Sequence, residues 1–584
     1  MTEVLAFDVE TTGLDAFAGA RVFSFSTTDY CGATEVWRTE DPGFREKLEW
    51  LFSPHAPVLV AHNAHFDLRM VGHLLRRPVW WTKKWHDTMI MAHILMNHHY
   101  SKSLEDLAWD LLKYPKIDKE VHFLARQAGG MHHVPKEVMK QYQSCDTTRT
   151  MLLYRLFNPK IRANKQLVDI YQNECDVVKV TMDMEGRGVV LDRYETVKLR
   201  RELKRTVKKC RSNLESSTWV GFNPRSVLDM RQLLYQNWKL PISQITKKGS
   251  PSVGKEVLRE IRNSGGHRGV IASLVIEHNS ALTGVAILKS YLESAGEDDV
   301  IHPRLTTLAA ITGRQSSSNP TLQNVAKEGV LLNPFPIPAR RCFRPRDRHV
   351  NIHLDFSGIE MRLLVEYSGE EELVRVIREG GDVHVPAAET FFGRRFETAN
   401  EHDRATLRGA GKNANFACPY GAGADKVVAT LGLPTDEGHA AYKRYCKRFP
   451  RLVTLSEGMS AAVQQLGFVR TRFGRCLRVP KNKAYVGTNY VIQGTAAEIL
   501  KRSQVRIHAL HYERWPEVHL ILTIHDEVVI EFPRHLLAQL PTYLQEVREE
   551  MTRFPEFEVP LEVEASLVTQ NWSRKRRLEI PCPS

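Results

Sequence analysis

Cysteine is scarce in this chain: nine among 584 residues, scattered from Cys31 to Cys582 with no Cys-x-x-Cys pair. That scarcity excludes a disulfide framework, offers no structural zinc signature and suits a reducing compartment. No apolar run approaches the ~20 residues that a helix needs to cross a bilayer, so no membrane partner is expected. The opening MTEVLAFDVETTGL lacks the basic-then-apolar pattern of a secretory signal, and the expected location is cytoplasmic. There is no internal repeat, and the one low-complexity block is the basic run Arg574–Arg577. Disorder of the whole chain is excluded as well, because hydrophobic residues make up 42% against 26% charged, an ordinary globular balance. The length implies several domain-sized units.

What the chain has is basic charge, unevenly placed. Lys and Arg number 81 against 68 acidic residues, for a net charge of +13, which permits a polyanionic partner. Between Arg193 and Asn213 there are nine basic and two acidic residues. Within that stretch Leu199, Leu203, Val207, Cys210 and Leu214 recur at helical spacing, which predicts a helix with an apolar seam and a basic outer surface. The polar stretch Thr246–Gly254 reads as an exposed loop near an acidic ligand.

Residues 1 to about 160 alternate strand and helix patterns, as in VLAFDVE, RVFSFST, PVLVAHN and EVMKQYQSCDTTRTMLLYRLF. Residues 165–300 are mainly helical, and from 300 onward strands and helices mix. In the first region Asp8 and Glu10 sit two apart at the end of an apolar strand, so both carboxylates share a face and offer oxygen ligands to Mg²⁺ or Mn²⁺. Asp67 follows in AHNAHFD. A Tyr and an Asp four apart on a helix would complete the set, and two pairs fit: Tyr114/Asp118 and Tyr142/Asp146. Pro115 disfavours helical geometry at Tyr114, whereas Tyr142 and Asp146 lie inside a long helical pattern, so the second pair is preferred. His86-Asp87 before TMIMAHIL reads as a helix N-cap.

In that order, FDVETTGL, NAHFD and YQSCD resemble the proofreading 3′–5′ exonuclease domain of the DEDDy type. The resemblance implies that Asp8, Glu10, Asp67 and Asp146 hold two metal ions, with Glu10 and Tyr142 catalytic and Tyr142 orienting the attacking water. Phosphodiester hydrolysis is served by two ions about 4 Å apart, and four crowded acids would repel one another without them.

Farther along, NIHLDFSGIEMRLLVEY places Asp355 at the end of a strand and Glu360 at the start of a helix. HLILTIHDEVVIEF reads as a hairpin presenting Asp526 at its tip, beside His525 and Glu527. Between them, in RGAGKNANFACPYG, Arg408, Lys412, Phe416 and Tyr420 recur every four residues and form a winding stripe of two cations and then two aromatics. That stripe suits a ligand with a polyphosphate at one end and a base and sugar at the other.

These three segments resemble motifs A, B and C of family A DNA polymerases. TGRQSSSNPTLQNV (312–325), the Asp-x-His of GGDVHVPAAETFFG, NYVIQGTAAEILK and Asn571-Trp572 extend the resemblance over nearly the whole chain. It implies an α/β exonuclease domain with an RNase H-like mixed sheet (1–160), followed by an α+β polymerase right hand (161–584). The expected thumb covers about 185–300, the palm about 301–370 and 485–584, and the fingers about 371–484. The implied activity is template-directed DNA synthesis from dNTPs with proofreading, using two Mg²⁺ per active site, with Mn²⁺ as an accepted substitute. Asp355, Asp526 and the carbonyl of Phe356 would hold the polymerase metals, with Glu527 in support. Arg408, Lys412 and His384 would grip the triphosphate, and Phe416 and Tyr420 would pack near the incoming sugar and base. Glu360 would fill the space of a ribose 2′-OH. Arg314, Asn489, Gln493 and His525 would contact primer-template DNA, and the basic helix and the loop Thr246–Gly254 would grip duplex backbone. A monomer with possible replisome accessory proteins is expected. Absence of a 5′-nuclease segment gives the chain a phage-type look, which would place it in a host bacterial cytoplasm. The resemblance also implies that Phe416→Tyr raises dideoxynucleotide incorporation.

Two departures stand out. Ala417-Cys418-Pro419 replaces the usual residues between the motif B aromatics, with a kink expected before Tyr420, and Tyr485 stands where an Arg is common. A single-subunit RNA polymerase and a catalytically silent nucleic-acid-binding scaffold are the competing readings. The intact acids argue against the second, and Glu360 with the exonuclease constellation argues against the first.

Overall fold

A computed structural model describes residues 3–246, 249–323, 325 and 335–580. Of the stretches singled out above, Met1, Thr2, Lys247, Lys248, Asn324 and Cys582, with residues 326–334 and 581–584 of the expected palm, lie outside the described residues. The N-terminal region is built on a mixed five-stranded sheet: β1 (Val4–Thr11), β2 (Val22–Asp29), β3 (Thr34–Arg38), β4 (Val58–Ala61) and β5 (Trp85–Asp87), in the order β3-β2-β1-β4-β5. β1 runs antiparallel to β2 and parallel to β4. Helices α1 (Ala64–Leu75), α2 (Asp118–Ala128) and α3 (Lys136–Arg162) belong to this region, and α4 (Lys165–Arg187) leads away from it. The sheet core holds Phe7, Phe25, Leu48, Phe52 and Phe157, all buried.

Asp87 caps the helix Thr88–Leu95, accepting from the N–H groups of Met89 and Ile90 as its sequence position predicts. It also accepts from the N–H of Asn63 and, at 2.8 Å, of Ala64. One buried carboxylate therefore fixes the starts of two helices, and one of them, α1, carries Asp67.

The predicted basic helix is α5 (Arg193–Ser217). It buries Leu199, Cys210 and Leu214 and exposes its Lys and Arg residues except Arg200, which is half-buried. It packs along α6 (Gly266–Ser294), where a Cβ at Gly284 would come 2.7 Å from the Leu203 side chain, so glycine permits the close approach. By length and mean hydropathy, 1.5 over one 18-residue window, α6 alone among the described helices has the composition of a membrane span. However, His267, Arg268, Glu277, His278, Asn279 and Lys289 interrupt it, so it contains no unbroken apolar run of that length. Its Ile271, Val275, Leu288 and Tyr291 pack into two clusters of the protein core instead of forming an unbroken apolar surface.

The C-terminal half surrounds an all-antiparallel sheet: β6 (His349–Phe356), β7 (His519–Ile524), β8 (Glu527–Pro533), β9 (Val563–Val568) and β10 (Lys575–Leu578), ordered β7-β8-β6-β9-β10. The basic run that looked like low complexity thus forms most of an edge strand. Against this sheet and beyond it lie α7 (Ile359–Ser368), α8 (Val385–Phe392), α9 (Glu401–Ala417), α10 (Thr435–Arg448) and the long α11 (Gly487–Arg514). The two halves are tied by a buried ion cluster in which Glu174 of α4 takes Lys501 of α11 at 2.7 Å and also pairs with Arg475.

Candidate active sites

Strand alternation puts Asp8 and Glu10 on one face of β1, opposite Ser26 and Ser24 of β2. Helix α3 crosses that face and brings Asp146 in, so that one oxygen from each of the three carboxylates lies within 4.8 Å of the others. Asp67 stands just behind, and its Oδ1 accepts the N–H of Val9 at 3.0 Å. Tyr142 sits one helical turn before Asp146 and is buried. The four acids and the phenol singled out in the sequence therefore meet at one place.

Electrostatics there is strained in a consistent direction. Burial, then Asp67, Glu10 and Asp146, push Asp8 well above the usual carboxylate range. Glu10 is raised by burial and by Asp146, Asp67 and Asp118. Burial takes Asp67 up to about 8 against the pull of the Val9 N–H. Asp146 is raised to about 7 by burial and Asp118, with Arg149 and Tyr142 opposing. Tyr142 is itself driven up by burial and by Asp146. Hard oxygen donors whose charged forms are penalised together fit a divalent cation, which would remove the mutual repulsion.

In the second sheet Asp355 of β6 pairs in register with Glu527 of β8. Ile524 pairs with Glu527, so His525 and Asp526 form a two-residue turn, with His525 at φ 55°. The predicted hairpin tip is thus observed, and the N–H of Phe356 reaches the carbonyl of Asp526 at 3.3 Å, bringing the two aspartates' segments together. Gly358, at φ 60°, turns the chain from β6 into α7 and sets Glu360 in the first helical turn. A cavity of about 350 Å³ is lined by Asp355, Phe356, Glu360, Lys412, Phe416, His525, Asp526 and Glu527, together with Arg340.

Other predicted residues lie around that cavity. Glu360 receives Arg314 on one oxygen and the Tyr420 hydroxyl on the other at 3.2 Å. Arg408 pairs with Asp382 and does not line the cavity. His384 is buried at the start of α8, near the Asn415 amide at 3.3 Å, and burial lowers it to about 4. Close packing holds these parts together, since a Cβ at Gly411 would fall 2.9 Å from the His384 carbonyl. Phe416 and Tyr420 lie 6.2 Å apart between ring centroids. The regular helix α9 stops at Ala417 and Cys418–Tyr420 form a turn, so the expected kink is a helix end two residues before Pro419. Tyr485 packs against Gly421. Asn489 and Gln493 both lie on α11, partly buried.

Several residues of these sites escaped sequence reasoning. His353 shares a face of β6 with Asp355, two residues away, and its Nδ1 bonds Glu527. Lys575 of the edge strand reaches the same Glu527 oxygen at 2.5 Å, and Arg340 approaches its other oxygen at 4.0 Å. Burial alone would raise Glu527, but His353 and Lys575 outweigh it and hold the carboxyl below its usual range. Burial lowers His353 from its ordinary value, with Glu527 opposing. At the other site Arg149 was missed, although it stands one helical turn beyond Asp146. The signals were alternation for His353 and the i,i+3 spacing for Arg149; Lys575 had only its place in the basic run.

Residues 193–574 match the family model described as DNA polymerase family A, and residues 1–162 match that described as 3′-5′ exonuclease. The chain is 30% identical over 436 residues to a thermostable DNA polymerase I of Thermus thermophilus, covering 72% of this chain and 50% of the relative. It is 31% identical over 447 residues to that of Thermus filiformis, covering 73% and 50%. Against DNA polymerase I of Pseudomonas aeruginosa it is 26% identical over 603 residues, covering 98% and 63%. The chain thus spans about half to two thirds of the length of these relatives. A solved structure described as the POL domain of Pol1 from M. smegmatis, in complex with DNA primer-template and dNTP, superposes with a TM-score of 0.82 at 21% identity. The match covers 97% of this chain and 95% of that one, so the fold is shared.

Proposed function

The chain belongs to DNA polymerase family A, and we propose that it extends a primer 3′ end from dNTPs along a DNA template and trims the same end 3′–5′ at a second site, as a monomer. The observation that carries the reading is the single cavity bringing Asp355, Asp526 and Glu527 together with Glu360, Lys412 and Phe416. The primer-template and dNTP bound to the M. smegmatis relative support the same ligands here.

Asp355, Asp526 and the Phe356 carbonyl would hold two Mg²⁺ at the synthetic site, and Asp8, Glu10, Asp67 and Asp146 two at the hydrolytic one, with Mn²⁺ able to replace them. Such ions supply Lewis acidity and clamp the entering and leaving oxygens of an in-line displacement. The chain's own residues do the rest. Lys412, with Arg408 released from Asp382, neutralises the triphosphate, and His384 backs the helix that carries them. Phe416 and Tyr420 stack beside the base and sugar, while Glu360 occupies the 2′ position and favours deoxynucleotides. Arg314, Asn489, Gln493 and His525 contact the primer-template near the reacting end. Helix α5 tracks the duplex backbone with little sequence preference. In the first domain Tyr142 orients the attacking water and Glu10 helps to take its proton.

A 5′-labelled primer annealed to a longer template, incubated with Mg²⁺ with and without dNTPs, tests both halves in one gel. Extension with dNTPs and stepwise shortening without them is the expected result. Extension with rNTPs at the dNTP rate would favour an RNA polymerase, and neither activity would refute the reading.

A further inference from the structure

The Tyr114/Asp118 pair, set aside as a metal-ligand candidate, turns out to touch the preferred pair through one residue. Arg149 follows Asp146 by three positions on α3, and its side chain is 0% exposed. Its Nη1 donates to Asp146 Oδ1 at 2.8 Å and to Asp118 Oδ1 at 2.7 Å, and its Nη2 donates to the Pro115 carbonyl at 2.6 Å. The guanidinium lies 5.5 Å from the centroid of the Tyr114 ring. A left-handed turn at Lys113 and the start of α2 at Asp118 wrap the chain around this one group.

Burying a guanidinium is costly unless its donors are used. Here two carboxylates and a carbonyl take the Nη donors, in the fork geometry that arginine has and lysine lacks, while the buried Nε has no hydrogen-bond partner among the described residues. Docking α2 does not require the charge, because Val121 and Ala125 of α2 already pack with Val134, Met139 and Tyr142 in an apolar cluster. What the ion pair adds is a fixed position for one particular oxygen of Asp146, a member of the three-carboxylate group.

We propose that Arg149, braced by Asp118, is a positioning residue of the hydrolytic site: it holds Asp146 by Oδ1 and leaves the other oxygen for the ion shared with Asp8 and Glu10. The inference rests on the exonuclease reading above. Groups that orient metal ligands in this way are worth 10–100-fold in metal affinity or activity.

The test compares the full chain with Arg149→Met, Arg149→Lys and Asp118→Asn. Mn²⁺ binding is followed directly by loss of the free-ion magnetic resonance signal, and primer shortening is followed across a Mg²⁺ titration. Primer extension in the same chain reports on folding. Arg149→Met is expected to bind Mn²⁺ about tenfold more weakly and to need about tenfold more Mg²⁺ for half-maximal shortening, with extension unchanged. Arg149→Lys should recover part of both, and Asp118→Asn should fall between it and the parent. Parent-like Mn²⁺ binding and Mg²⁺ dependence in Arg149→Met would overturn the proposal. If that variant loses extension too, Asp118→Asn decides, since its acid is partly exposed, and a parent-like result there overturns it equally. A parent chain that extends primers but never shortens them would refute the exonuclease reading itself.

Discussion

Asp8, Glu10 and Asp146 crowd within 4.8 Å of one another, backed by one guanidinium that touches only Asp146 among them. Around Glu527 the arrangement is the reverse: Lys575 and His353 share one oxygen, Arg340 approaches the other, and the carboxyl is held low. One site therefore leaves acids under-compensated, and the other surrounds a supporting acid with protein cations. The first is poised to gain most from an added cation. In the second, the protein fixes the charge around Glu527 beforehand, so an ion bound there would meet one supporting carboxylate already held in place.

Removing one acid from each site gives the sharpest break. Asp526→Asn should lower primer extension by on the order of 10⁴-fold while leaving primer shortening, and Glu10→Gln should do the opposite. Loss of both activities in either variant would mean that the two sites are not separate. Next in size is Lys575→Met, which removes the cation from Glu527. Extension should fall about 10–100-fold with shortening untouched, measured as single-nucleotide incorporation under single-turnover conditions.

A third effect separates the sites by pH. Ordinary carboxyls titrate near ~4 when unfolded, whereas folded Asp146 and Asp67 sit at about 7 and about 8. Between those limits the folded first domain binds more protons than the unfolded chain, so its stability falls as pH rises from roughly 4 to 8. Glu527 is shifted the other way, so its contribution is present above ~4 and is lost as pH falls toward its depressed value. Without metal, the transition of the first domain should melt about 5 °C lower at pH 8 than at pH 5. Mg²⁺ should raise it more at pH 8. An equal metal effect at both pH values would remove the proposed under-compensation.

The fold and the acids were legible because they follow short periods. Alternation along β1 and β6 placed Asp8 with Glu10 and put Asp355 at a strand end, and apolar runs flanking His525-Asp526 announced the hairpin. Pro115 rightly separated the two Tyr/Asp pairs, since Tyr114 lies outside α2. Long-range partners were not legible. Nothing local says that Asp118 reaches Asp146 through Arg149, or that a basic run returns as an edge strand beside Glu527. Such pairings depend on which strands and helices become neighbours, and the chain between them carries no mark of it. The same holds for Asp87, read as the cap of one helix and found to hold two.

The smallest predicted effect separates a contact from a field. Arg577 lies two residues from Lys575 on β10, carries the same charge and pairs with Glu564 at 3.4 Å, but the two side chains are 78% and 50% exposed. Exposed pairs contribute about 0–1 kcal/mol and are screened by salt. If the basic run acts on the synthetic site only as a diffuse positive potential, Arg577→Ala and Lys575→Met should slow incorporation alike, and added salt should erase both effects. If Lys575 acts through its contact with the buried Glu527, Arg577→Ala should change incorporation less than about twofold, and the Lys575→Met deficit should persist at raised salt. The contact geometry favours the second outcome, because a 2.5 Å pair with a nearly buried carboxylate is shielded from the ions that screen the surface.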